Sequence, residues 1–134
     1  GGSKGMGRAS ADLLAAEGCK VAVVARTQSW IDEAVAQIRD KGGTAIGISA
    51  DLGTQEGIAA ALGATRAAFG APDIVVSQTN DFSTGRFMDA EPGEYERIFR
   101  MLTMGTIHLA RATIPDMQAK QWWRFIHICS GTAK

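Results

Sequence analysis

The stretch that most constrains this chain is its start, Gly1-Gly2-Ser3-Lys4-Gly5-Met6-Gly7, where Gly1, Gly5 and Gly7 form a GxxxGxG spacing ahead of a helix-compatible segment. Residues without a Cβ let a turn reach unusual dihedrals and let a ligand approach the backbone. The helix that follows presents free N–H groups and the positive end of its dipole, an arrangement suited to a pyrophosphate. Residues 8–17 are rich in Ala and Leu, Gly18 offers a C-terminal stop, and the apolar run 21–25 reads as a strand. Turn, helix and strand in that order predict a mononucleotide-binding unit. Arg26, 19 positions after Gly7, falls where such a unit places the residue that meets the adenosine ribose. A P-loop is the rival, but GxxxxGK[ST] needs Lys and Ser or Thr after its last glycine, and Arg8 and Ala9 stand there. Such a turn ordinarily follows a strand, so the sequence reads as a fragment without its first strand.

The remaining segments keep alternating. Ile31, Ala34, Val35 and Ile38 recur at helical spacing and predict a helix over 29–41, ended by Gly42-Gly43. A short strand is predicted over 44–50, with Asp51 directly after it. Ile58, Ala61, Leu62, Thr65 and Phe69 mark one face of a helix over 54–69. Thr54 is its natural N-cap, which leaves Asp51 free for a ligand. Residues 73–77 form a continuous apolar strand, expected to be buried on both faces. The loop over 78–92 is longer than usual connections and is a candidate binding segment. A helix over 93–115 carries Ile98, Phe99, Met101, Leu102, Met104, Ile107 and Leu109 nearly all round, which implies burial beyond its own sheet, as by a partner subunit. A last strand covers 124–128 and leads into Cys129-Ser130-Gly131. The pattern predicts an α/β fold, a doubly wound parallel sheet with helices on both faces, as one partial domain over 1–134.

Composition narrows the function. Fourteen basic against fourteen acidic residues argue against nucleic acid or an anionic membrane as partner. No apolar run approaches the ~20 residues of a membrane span. Cys19 and Cys129 do not suggest a disulfide framework, and a reduced, cytoplasmic setting is expected. Neither His108 nor His127 has metal-ligand spacing to a second His or Cys, so no metal is expected.

The opening turn, Asp51-Leu52, the strand Asp73-Ile74-Val75-Val76, and Arg124-Phe125-Ile126-His127-Ile128-Cys129-Ser130 together resemble the classical short-chain dehydrogenases/reductases, most closely their β-ketoacyl carrier-protein reductase-like branch. The resemblance covers the amino-terminal half of such a protein. It implies a Rossmann fold that binds NAD(H) or NADP(H) and transfers a hydride between nicotinamide and a small carbonyl or alcohol. By that resemblance Gly1, Ser3, Lys4, Gly5, Met6 and Gly7 form the pyrophosphate turn, Asp51 and Leu52 face the adenine, and Gln78 and Thr79 follow the fourth family strand against the cofactor. Lys4 lies inside the turn, and Arg26 stands where NAD-preferring relatives carry Asp, so NADP(H) is expected over NAD(H). Ser130 matches the catalytic serine. The family's Tyr and Lys lie beyond residue 134, so the fragment itself is expected to be inactive. Two positions depart from the family: Ser77-Gln78-Thr79-Asn80 replaces Asn-Asn-Ala-Gly, and Leu102 replaces the catalytic Asn. They motivate an alternative, a non-catalytic NADP(H)-binding or regulatory protein. The resemblance also implies a homodimer or homotetramer.

Overall fold

The computed structural model describes residues 1–79, 83 and 85–129. Helix α1 spans Gly5–Ala16, strand β1 Lys20–Ala25, helix α2 Gln28–Asp40, strand β2 Thr44–Ser49, helix α3 Gln55–Phe69 and strand β3 Ile74–Ser77. Helix α4 follows over Pro92–Phe99, a π-helical segment over Arg100–Met104, helix α5 over Gly105–Ala119 and strand β4 over Arg124–His127. The alternation read from the sequence is therefore present, with two adjustments. Arg8 N–H already donates to the Lys4 carbonyl (3.2 Å), so α1 starts inside the glycine turn and not at residue 8. The long fourth helix is two helices joined by the π-helical segment, and it runs past Pro115 to Ala119. Pro115 does not end α5 because the last turn is held from outside. Met117 is completely buried, and Lys120 Nζ donates to Asp73 Oδ1 and to the Ala71 carbonyl, each at 2.7 Å.

Helical periodicity accounts for the packing. Ile31, Ala34, Val35 and Ile38 of α2 meet Ala11 and Ala15 of α1 over Val23 and Ala45 of the sheet in one buried cluster. Ile58 and Leu62 of α3 meet Leu109 of α5 in a second, with Val75 and Phe125 packed against it. Thr54 caps α3, its hydroxyl accepting Gly57 N–H at 3.0 Å. Arg66 ties α3 to α5 through Asp116 Oδ2 (2.7 and 2.9 Å) and the Ala112 carbonyl (3.1 Å). The apolar character of the fourth helical stretch is only partly buried: Leu109 and Met117 lie inside, while Tyr95, Phe99 and Ile107 are exposed.

All pairing is parallel. β1 pairs with β2 from Lys20 opposite Thr44 to Ala25 opposite Ser49, and β3 pairs with β4 from Ile74 opposite Arg124 to Ser77 opposite His127. Among the described residues these are two separate two-stranded sheets. Residues 20–24 and 73–76 face each other across a largely apolar cleft of about 470 Å³.

Candidate functional site

The carboxyl ends of β1, β2 and β3 and the start of α1 converge on a second cavity of about 260 Å³. This is the end of a parallel α/β sheet at which ligands bind. Gly1, Ser3, Lys4 and Gly5 line it from the turn, Arg26 from the end of β1, Asp51 and Leu52 from the loop after β2, and Gln78 and Thr79 from the loop after β3. Four chain segments remote in sequence thus meet at one place. Met6 does not line the cavity and is 58% exposed on the first turn of α1. Gly7 is buried behind the turn and lines the apolar cleft instead. Ser130 and Asn80 lie outside the described residues.

The turn is built by close approach. The Gly1 amine and the Gly2 N–H both donate to the Val24 carbonyl at 3.0 Å, which docks the turn on β1. A Cβ at Gly1 would overlap the Gln78 carbonyl oxygen, and one at Gly7 would overlap the Gly1 carbonyl oxygen. Gly5 has φ +57°, the left-handed region that glycine adopts without penalty. No side chain caps α1, and no carboxylate stands in its first turn. Its N-terminal N–H groups and dipole are therefore open to an anion.

Charge at the cavity is positive on balance. Lys4 and Arg26 line it against the single carboxylate of Asp51. Asp51 is also committed locally, since its Oδ1 accepts Gly53 N–H at 2.9 Å. That loop bond reduces the freedom the sequence ascribed to this side chain, although Asp51 keeps its place on the wall. In the 134-residue chain, withdrawal from water, and then the Arg26 charge, lower the Gly1 amine from 8.0 to about 6.

Two further atoms point to a ligand. Gln78 Oε1 and Thr79 Oγ1 are buried without a hydrogen-bond partner among the described residues. A buried polar atom left unpaired costs roughly 1–3 kcal/mol, and native structures rarely leave one without a reason. A glycine turn packed closely on its own backbone, an uncapped helix start, two cations and two orphaned oxygens together fit a phosphate-bearing dinucleotide.

Sequence reasoning missed Thr27, Trp30 and Met101, which also line the cavity. Met101 arrives from the π-helical segment, and Trp30 from the exposed side of the first turn of α2, where periodicity gives no signal. A polar cluster at the ends of β3 and β4 was equally invisible. Ser77 Oγ lies 3.3 Å from Thr106 Oγ1, and His127 Nδ1 lies 3.4 Å from each hydroxyl. Thr106 in turn donates to the Leu102 carbonyl at 2.8 Å. Among the described residues no group of three or more His, Cys, Asp or Glu is placed to hold a metal ion, and no helix is long and apolar enough to cross a membrane.

The sequence model of the short chain dehydrogenases matches residues 1–134. Versicolorin reductase 1 of Aspergillus parasiticus is 36% identical over 134 residues, 99% of this chain and 50% of that protein. The structure of L-sorbose reductase from Gluconobacter frateurii complexed with NADPH and L-sorbose superposes with a TM-score of 0.89 at 31% identity, over 95% of this chain and 49% of that one. A 3-ketoacyl-ACP reductase from Sinorhizobium meliloti superposes with a TM-score of 0.91 at 27% identity, over 97% of this chain and 51% of that one. The chain spans about half the length of these relatives.

Proposed function

Because the chain belongs to the short chain dehydrogenase family, we propose that residues 1–134 are the nucleotide-binding part of an NADP(H)-dependent oxidoreductase acting on a small carbonyl or alcohol. The observation that carries this is the cavity at the strand ends, where the glycine turn, Lys4, Arg26 and the orphaned oxygens of Gln78 and Thr79 come together. When bound, the nicotinamide supplies or accepts the hydride. The chain's own residues bind and orient. The turn and the start of α1 would hold the pyrophosphate, Lys4 and Arg26 would meet the 2′-phosphate, and Asp51 and Leu52 would border the adenine. Gln78 Oε1 would accept a hydrogen bond from a donor group of the bound nucleotide. By the family resemblance, Ser130 would hydrogen-bond the substrate oxygen and support its developing negative charge.

The cleft between β1 and β3 supports a further part of this reading. A strand preceding Gly1 in the natural protein pairs with both facing edges, whose N–H and C=O groups otherwise lack ladder partners. Exposed Tyr95, Phe99 and Ile107 supply contact surface for a homodimer or homotetramer.

Charge-assisted contacts are worth about 1.5–3 kcal/mol each, and about 1.4 kcal/mol is tenfold in affinity. Calorimetry on the natural protein carrying this sequence is therefore expected to give NADPH at least tenfold tighter than NADH, with most of the preference lost in Arg26→Ala. Equal affinities for the two nucleotides overturn the reading. A second reading, a protein that binds NADP(H) without turnover, is favoured by Leu102, an apolar side chain where the family has its catalytic Asn. NADPH binding with no oxidation across a panel of small ketones and aldehydes selects it.

A further inference from the structure

Lys4 Nζ lies 3.2 Å from the centroid of the Trp30 ring. Trp30 stands in the first turn of α2, 43% exposed, and lines the same cavity as Lys4, Arg26 and Thr27. Lys4 has no hydrogen bond or ion pair among the described residues. Its ammonium therefore rests on the ring face while its N–H donors stay unspent. A lysine on a flexible four-carbon stem has many rotamers, and the positive charge of Arg26 in the same cavity disfavours those that bring the ammonium inward. The ring offsets both effects, because an aromatic face attracts an ammonium held within about 6 Å of its centroid.

We propose that Trp30 is a positioning residue, which holds the Lys4 ammonium at the cavity rim beside Arg26 and thereby sets part of the discrimination between nucleotides with and without a 2′-phosphate. The proposal rests on the reading of this cavity as an NADP(H) site. Trp30 acts through Lys4, and the phosphate contact itself belongs to Lys4 and Arg26.

The test compares 2′,5′-ADP with 5′-ADP by calorimetry on the natural protein carrying this sequence. The ratio of the two dissociation constants within one variant cancels any general loss of folded protein. Cation–π attraction at an exposed site biases a side-chain population by about two- to fivefold, so Trp30→Ala should reduce the preference for 2′,5′-ADP by that factor. Trp30→Phe, which keeps a ring, should restore most of it. In a Lys4→Ala background Trp30→Ala should change the ratio no further. A wild-type protein that binds both nucleotides equally overturns the NADP(H) reading and this inference with it. A clear wild-type preference that Trp30→Ala leaves intact overturns this inference alone. So does equal weakening of both nucleotides by Trp30→Ala, which places the ring against the adenosine and not under Lys4.

Discussion

Alanine substituted at two helical glycines of this chain should act in opposite directions, and the difference isolates the steric demand of the glycine turn. Gly7 is in the first helical turn of α1, where an added Cβ would overlap the Gly1 carbonyl oxygen and lie 2.7 Å from Gln78 Oε1. Gly63 is in α3, and an added Cβ there meets nothing within 4 Å. Alanine is favoured over glycine in a helix interior by about 0.8–1.0 kcal/mol. Gly63→Ala should therefore stabilise the protein by about that amount and leave nucleotide affinity unchanged. At Gly7 the propensity gain is at most similar, because the position lies at the helix start. Against it stands overpacking, typically about 1–3 kcal/mol, and the obstacle is a backbone oxygen that moves only if the turn moves with it. Net destabilisation of about 0–2 kcal/mol is expected for Gly7→Ala. The larger effect is on binding. Relief of the overlap moves the Gly1 carbonyl and Gln78 together, and with them the cradle on which a pyrophosphate would rest. NADPH affinity should fall by about tenfold or more, equivalent to roughly 1.4 kcal/mol. Urea denaturation followed by far-UV circular dichroism gives the stabilities, and calorimetry with NADPH gives the affinities. A Gly7→Ala protein as stabilised as Gly63→Ala, with NADPH affinity unchanged, would refute the packing argument.

Two further outcomes follow from the same geometry. In the 134-residue chain the Gly1 amine is held at about 6 instead of 8.0, so between those values the unfolded state carries a proton that the folded state lacks. Stability should accordingly rise from pH 6 to pH 8. The rise should vanish when the amine is acetylated, as read from urea midpoints, and a persistent rise after acetylation would assign it to another group. The facing edges of β1 and β3 leave ladder groups unpaired across the cleft, so the 134-residue chain alone should melt broadly by calorimetry. A sharp, cooperative melt of the 134-residue chain would show that the cleft closes without an added strand.

What the sequence determined by itself is the part governed by near neighbours. The order of turn, helix and strand at the start was legible because glycine spacing and 3.6-residue periodicity act within a few residues. The face made by Ile31, Ala34, Val35 and Ile38 and the Thr54 cap were legible for the same reason. The candidate-site residues were legible only in part. Glycines that must yield to a backbone announce themselves by type, as Gly1 does against Gln78. Arg26 was marked by its spacing from Gly7 and Lys4 by its place inside the turn, while the partner of Lys4 was not marked at all. Trp30 is 26 residues away on an unmarked helix face, and only the packing of α2 beside the turn brings its ring under the ammonium. The same holds for the break in the fourth helix. Its side chains read as one continuous apolar helix, and only the three-dimensional contacts of Gly105 against Leu52 and of Met101 against Gly53 indicate what surrounds the π-helical segment. The hydroxyl and imidazole cluster of Ser77, Thr106 and His127 joins two strands and a helix separated by up to 50 residues. Local propensity sets which segments form helix or strand, but which polar atoms end up paired or orphaned depends on distances between segments, and tertiary packing alone sets those distances.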